Sequence, residues 1–253
     1  VTADGKIGLQ YTPCIGLSDQ APSALAGMTP LTNLSPEDVP AIVEAVRRGD
    51  DLATLPQAEV NENLRQAGEV IFAPMERGQA IRAALNGPPE AVIAELNRAR
   101  IRGRGGAGFP TAMKWDFCRK AKGEAHYVVC NADEGEPGTF KDRVILTRTP
   151  DLVFEGMTIA GYAIGASEGI MYLRGEYEYL LPHLQQVLAK RRHLGLLGRH
   201  VCGAEGFDFD IRIQMGLEAN RPRLHRCRDQ RAIKANGAQN SHPVGADLQP
   251  RPD

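Results

Sequence analysis

A glycine cluster at residues 102–110 has the composition of a phosphate-binding loop. Four glycines fall within six residues: Gly103, Gly105, Gly106 and Gly108. Glycine allows backbone N–H groups to approach an anion closely, while Arg104 and Lys114 add positive charge. The predicted helix that follows would also present its positive N-terminal end to an anion. We expect phosphate binding here, and a flexible basic turn is the alternative.

The spacing of Gly103, Gly105 and Gly108 also satisfies the dinucleotide pattern G-x-G-x-x-G. That pattern indicates dinucleotide binding only where a strand immediately precedes it. Here the preceding residues, 96–100, are helical in pattern. A plain nicotinamide dehydrogenase is therefore disfavoured.

An acidic, glycine-rich segment, residues 131–139, directly follows a predicted strand. Ligands of open α/β sheets bind beyond the carboxyl ends of strands. The segment carries an amide and three carboxylates that suit the hydroxyl groups or ring N–H groups of a nucleotide: Asn131, Asp133, Glu134 and Glu136. A solvated acidic turn and a divalent-metal loop are the alternatives. The neighbouring cations Lys141 and Arg143 disfavour metal, and we expect none.

The aromatic residues around the glycine cluster have two interpretations. Phe109 and Phe117 are candidates for stacking on a cofactor ring, or for core packing, and Trp115 is expected in the core. Cys118 and Cys130 are expected to be small buried hydrophobes. No protein nucleophile is predicted.

The pattern of helices and strands predicts an α/β layered domain with a largely parallel sheet. Strands are expected at residues 126–130, 169–174 and 207–214, the last half-buried and toward an edge. Helices are expected after Ser35, and over residues 89–100, 110–120, 151–164 and 177–190. A short strand is expected near residue 7, and a linker over residues 50–70.

Composition narrows the class of protein further. Thirty Lys and Arg residues against 31 Asp and Glu residues disfavour bulk nucleic-acid binding. No apolar run approaches the roughly 18 residues of a membrane-spanning helix. Five cysteines without a C-x-x-C pair indicate a reducing, cytoplasmic compartment. Residues 217–253 lack aromatics and are rich in Arg, Asn, Gln and Pro, so we expect disorder there.

Several of these motifs occur together in one family. Residues 101–114, 129–143 and 172–177 resemble the NADH-binding flavoprotein, or diaphorase, subunit of the complex I and NAD-reducing hydrogenase superfamily. Residues 206–216 and 12–21 are most similar to the hydrogenase diaphorase subunit. The resemblance implies a Rossmann-like layered FMN/NAD-binding domain, preceded by the remnant of a thioredoxin-like domain and a helical linker.

The resemblance also implies a reaction and a site. NADH would pass a hydride to FMN, which would release electrons to iron–sulfur clusters of partner subunits. The loop Gly103, Arg104, Gly105, Gly106 and Gly108 would hold the FMN phosphate, with Lys114 nearby. Asn131, Asp133 and Glu134 would contact the flavin, and Phe109, Phe117 and Glu136 would line the NADH side.

The resemblance, and the places where this sequence differs from the family pattern, give the expected domain boundaries. We expect a thioredoxin-like remnant at residues 1–30, a helical linker at 31–88, a partial FMN/NADH-binding domain at 89–216 and an out-of-family tail at 217–253. Ser18 stands where the family has the partner cysteine of Cys14, so no [2Fe–2S] cluster is expected. The ligands of the family's [4Fe–4S] cluster are absent. A non-catalytic fragment that binds nucleotide weakly, or only contacts partner subunits, is the alternative function.

Overall fold

The computed structural model describes residues 7–9, 11–12, 14–55, 64, 66, 68, 70–104 and 106–216. These residues belong to one compact unit. The described residues do not include Gly105. They also exclude the expected disordered tail at residues 217–253 and part of the expected linker.

A three-stranded parallel sheet forms the centre of the domain. Its strands are β3 (Tyr127–Ala132), β4 (Glu168–Leu173) and β5 (Asp210–Met215), in the order β3-β4-β5. All three were predicted, as were the parallel arrangement and the position of β5 at an edge of the described sheet.

The two faces of the sheet differ in burial. Met171 and Leu173 on the inner face are fully buried against the helices. On the opposite face Tyr127 and Val129 are more than half exposed. The inner face therefore carries the core, and it orients the strands whose ends bear the candidate site.

Two short strands and seven helices complete the described fold. The strands β1 (Ala24–Ala26) and β2 (Thr29–Leu31) pair antiparallel. The helices are α1 (Val39–Arg48), α2 (Gln79–Leu85), α3 (Pro89–Arg98), α4 (Thr111–Lys120), α5 (Lys141–Arg148), α6 (Pro150–Ile164) and α7 (Leu181–His193). The longest, α6, packs against two strands of the sheet, β3 and β4, and against five helices: α2, α3, α4, α5 and α7. No described helix has the length and apolarity needed to cross a bilayer.

The sequence correctly places five of these helices, and local capping explains two of their ends. The Ser35 backbone N–H donates to Asp38 Oδ2 over 2.8 Å, which starts the turn before α1. Gly49 ends α1 with φ of 72°, and Gly165 ends α6 with φ of 75°. Both are left-handed C-terminal caps, a conformation that favours glycine.

Four elements differ from the sequence prediction. Residues 7–9 form no strand, and the hairpin of β1 and β2 was not predicted. The helices α2 and α5 were not predicted. Both are short, and a buried glutamate from elsewhere in the chain accepts hydrogen bonds at the N-terminus of each. Local periodicity cannot report such tertiary support.

The N-terminus of α2 is held by Glu155 of α6. Its carboxylate, 1% exposed, accepts N–H groups of Gly78, Ala80 and Ile81 over 2.7 to 3.2 Å. It also accepts two hydrogen bonds from Arg191 of α7, which is fully buried. One carboxylate thus joins three helices.

Replacing Glu155 by Ala should destabilise the fold by about 3–5 kcal/mol, because the variant leaves the Arg191 charge buried and without this partner. Urea unfolding followed by circular dichroism measures the change. The control is Glu44→Ala, which removes an exposed ion pair with Arg48 and should change stability by less than about 1 kcal/mol. Equal losses in the two variants would contradict the assigned role of Glu155.

Two glycines of α6 differ in what surrounds them. A Cβ on Gly161 would lie 2.4 Å from Phe209, whereas a Cβ on Gly156 meets no atom within 4 Å. The close contact at Gly161 lets α6 approach the chain just before β5.

We expect Gly161→Ala to destabilise the domain by about 1–3 kcal/mol through overpacking against Phe209. Gly156→Ala, in the same helix, should stabilise it by up to about 1 kcal/mol because alanine favours helix. Thermal unfolding of both variants tests the difference. A stabilised Gly161→Ala protein would show that the contact relaxes without cost.

Candidate cofactor-binding site

The glycine cluster forms a closed loop in front of α4. The Gly103 N–H donates to Phe109 O, and the Thr111 N–H donates to Ile101 O, both over 2.9 Å. Arg102 Nη1 donates to Gly108 O over 3.1 Å. Backbone pairing and one guanidinium therefore fix the two ends of the loop.

The middle of this loop is open to solvent. Gly106 and Gly108 have φ of 106° and 61°, and a Cβ on either would meet no atom within 4 Å. Arg104 is exposed beside them. The glycines are thus required by conformation, and the space above them is free in the described part of the chain.

Positive charge accompanies the loop at the start of α4. Pro110 is the N-cap residue, and no side chain caps the helix within the described structure. Lys114 is exposed, one turn into the helix. Uncapped N–H groups, the helix dipole and an ammonium group make an anion-binding environment.

The acidic segment begins at the carboxyl end of β3, as predicted. Asn131, Asp133 and Glu136 are exposed. Asn131 Oδ1 accepts the Asp133 N–H over 3.1 Å, which makes a turn in the segment. These three side chains face solvent and are available to a ligand.

Glu134, which the resemblance places in contact with the flavin, is hydrogen-bonded within the protein. Its carboxylate is buried, and it accepts Tyr177 Oη over 2.8 Å and the N–H groups of Asp142 and Arg143 over 3.1 to 3.3 Å. Burial and the hydrogen bond to Glu134 raise the pKa of Tyr177, so its hydroxyl stays a donor. Protein donors thus hydrogen-bond the Glu134 carboxylate, and this buried side chain supports the acidic segment.

The end of α4 lies beside the start of β3. A cavity of about 450 Å³ there is lined by Arg119 and Lys120 at the end of α4, His126 before β3 and Gly165 after α6. The acidic segment lies at the other end of β3, its carboxyl end.

The aromatic residues divide into an exposed pair and a core residue. Phe109 and Phe117 are 45% and 58% exposed, and their ring centroids lie 6.5 Å apart. Trp115, Cys118 and Cys130 are partly buried and pack against the hydrophobic core. The two phenylalanines are the aromatic surface left for a ligand.

Two buried arginines make structural contacts around the site that the sequence did not predict. Arg143, fully buried, lies in α5 directly before the apolar residues Val144, Ile145 and Leu146. Arg174, 5% exposed, ends β4 and donates to Glu134 O. The position of Arg143 directly before an apolar run was the available signal for its burial.

Cys14 lies close to the acidic segment. Burial opposes ionisation of its thiol, but hydrogen bonds from Ser18, Gly138 and Gly16 and the charge of Arg174 lower its pKa overall. Burial raises the pKa of Cys130 to about 11. Among the described residues, no group of three or more His, Cys, Asp or Glu side chains is arranged to hold a metal ion.

At pH 8, iodoacetamide should modify Cys14 about tenfold faster than Cys130, or more, since the thiolate is the nucleophile. The rate at Cys14 should reach its plateau at a lower pH, because its pKa is the lower of the two. Peptide mass spectrometry after timed quenching measures both rates. Comparable rates at the two cysteines would contradict the assignment, and Cys14→Ser supplies the blank.

The glycine loop, the sheet and the acidic segment all lie within a segment that matches a known family. The family model of the Nuo51 FMN-binding domain matches residues 96–221. This segment of the chain belongs to that family, which confirms the resemblance seen in the motifs.

Particular relatives extend the match. The chain is 47% identical over 248 residues to the NAD-reducing hydrogenase HoxS subunit alpha of Cupriavidus necator, covering 91% of this chain and 40% of that protein. It is 45% identical over 142 residues to a NADH-quinone oxidoreductase protein of Rhizobium meliloti, covering 56% of this chain and 34% of that protein. The crystal structure of an NAD+-reducing [NiFe]-hydrogenase in the H2-reduced state matches with a TM-score of 0.76 and 35% identity, over 92% of this chain and 39% of that chain. The chain thus spans well under half the length of these relatives.

Proposed function

We propose that this chain is the FMN- and NADH-binding part of an oxidoreductase that passes electrons to iron–sulfur clusters of partner subunits. The observation that carries the proposal is the open glycine loop at the uncapped start of α4, together with the exposed acids at the carboxyl end of β3. The names of the relatives, which belong to a NAD-reducing hydrogenase and a NADH-quinone oxidoreductase, support it.

The phosphate of FMN fits the glycine loop. The open space over Gly106 and Gly108 is what close approach of a phosphate requires. Backbone N–H groups of the loop, with Arg104 and Lys114, would hold the phosphate. Gly103 closes the loop through Phe109 O, and Gly105 remains a proposed member outside the described residues.

The polar part of FMN fits the acidic segment. Asn131 and Asp133 would accept hydroxyl or ring N–H groups, since both side chains are exposed at the end of β3. Glu134 would position this segment from beneath, because its carboxylate is already hydrogen-bonded by protein donors.

Phe109, Phe117 and Glu136 would line the side on which NADH binds. The two exposed rings offer an apolar surface to a nicotinamide, and Glu136 offers an acceptor for its polar groups. FMN, when bound, supplies hydride acceptance from NADH and release of single electrons. The protein residues orient the two ring systems and supply the electrostatic environment.

The surroundings of the site complete the proposal. The onward acceptors would be iron–sulfur subunits of a hydrogenase or complex I-like assembly, and the relatives' names support that class of partner. We place the protein in the cytoplasm and propose no role for nucleic acid. We also propose a thioredoxin-like origin for residues 1–30, a helical linker at residues 31–88 and the absence of a metal site.

FMN titration of the full chain, followed by quenching of flavin fluorescence, tests the proposal. The natural chain should bind FMN, and Lys114→Gln should weaken binding about tenfold through loss of a charge-assisted contact to phosphate. The matched control is Lys122→Gln, which removes an exposed lysine just beyond α4 and should leave the affinity unchanged. A natural chain that binds no FMN would overturn the proposal, and equal effects of the two variants would overturn the assigned phosphate position.

A further inference from the structure

A short segment near the N-terminus, residues 14–20, is tied to the proposed site by buried polar contacts. We call it the N-terminal strap. Arg143 Nε donates to Gly16 O over 3.0 Å, and Arg143 Nη2 donates to both carboxylate oxygens of Asp19 over 2.6 and 2.7 Å. The side chains of Arg143 and Asp19 are 0% and 4% exposed. The pair is thus shielded from solvent and joins parts of the chain that are distant in sequence.

The residue that holds the strap also holds the acidic segment. Arg143 is the third residue of α5, and its backbone N–H donates to Glu134 Oε2 over 3.3 Å. The preceding N–H, of Asp142, donates to both carboxylate oxygens of Glu134. The position of α5 therefore sets the position of Glu134, and Arg143 couples α5 to Asp19.

Arg174 makes a second link between the same two segments. It donates to Cys14 O in the strap over 2.6 Å and to Glu134 O in the acidic segment. Glu176 accepts its Nε over 2.9 Å, which fixes the guanidinium between them. Two arginines thus bridge the strap and the segment at different points.

The strap also lies directly on Tyr177, the side-chain donor to Glu134. A Cβ on Gly16 would lie 2.2 Å from Tyr177 Oη, and Gly16 has φ of 75°. Only glycine allows this approach. The strap, Tyr177 and Glu134 therefore pack as successive layers beneath the exposed Asn131, Asp133 and Glu136.

We propose that Asp19 is a positioning residue for the proposed flavin site, acting through Arg143 and α5 on Glu134 and the acidic segment. This inference rests on the proposed function. The Asp19 side chain is 4% exposed and would act through other residues. Its carboxylate neutralises a buried guanidinium, and without it Arg143 must move toward solvent or leave its place in α5. Either movement displaces the N–H groups that hold Glu134.

The test combines hydrogen exchange of the full chain without flavin and FMN titration. In Asp19→Asn, amides of residues 133–143 should exchange about tenfold faster, while those of α7 keep their protection. FMN affinity should fall about tenfold, since a smaller fraction of molecules holds the segment in the binding conformation. Asp50→Asn, which removes an exposed partner of Arg48, should change neither measurement.

Each outcome decides the proposal. Faster exchange in the strap with unchanged exchange at residues 133–143 would overturn the coupling. Faster exchange at residues 133–143 with unchanged FMN affinity would overturn the positioning role. If the natural chain binds no FMN, the proposed function fails, and the exchange data still decide whether Asp19 holds the acidic segment.

A second variant is used if Asp19→Asn unfolds, which would be seen as loss of amide protection in α7 as well. Arg143→Lys keeps the charge but cannot reach Gly16 O and both Asp19 oxygens together. It should give the same local exchange pattern and a smaller loss of FMN affinity. Native exchange at residues 133–143 in that variant would overturn the proposal.

Discussion

The proposed site depends on one buried carboxylate. Glu134 accepts the Tyr177 hydroxyl and two N–H groups of α5, and its own carbonyl accepts Arg174. A buried carboxylate is costly unless several donors meet it. Because the donors to the carboxylate come from α5 and from the turn that follows β4, satisfying this charge brings these two elements together at the acidic segment.

The same solution recurs on the other side of the domain. Glu155 accepts N–H groups at the start of α2, as Glu134 does at the start of α5, and each lies beside a fully buried arginine. A carboxylate placed at a helix N-terminus satisfies orphan donors and complements the helix dipole. Two short helices with weak local signals are thereby fixed by charges from other elements.

The features that the sequence predicts are those with a local pattern. The strand β5 alternates apolar and polar residues, Ser35 precedes a capped helix, and glycines mark the proposed anion loop. Each of these patterns spans only a few residues. Membership of the flavoprotein family followed from such motifs. The inward position of Glu134 left no pattern, because it depends on Tyr177, far along the chain. Nor could the sequence show that Arg143 pairs with Asp19, since burial of a charge is decided by tertiary contacts.

The link between the strap and the two arginines constrains the order in which the chain folds. Arg143 reaches a partner 124 residues earlier, and Arg174 reaches one 160 residues earlier. Closing such long loops costs entropy before any contact repays it, so contacts of this range form after local ones. During synthesis, residues 14–20 leave the ribosome before Arg143 and Arg174 do, so they find these partners only once β4 and Arg174 have emerged. The strap is thus made before its partners and placed after them.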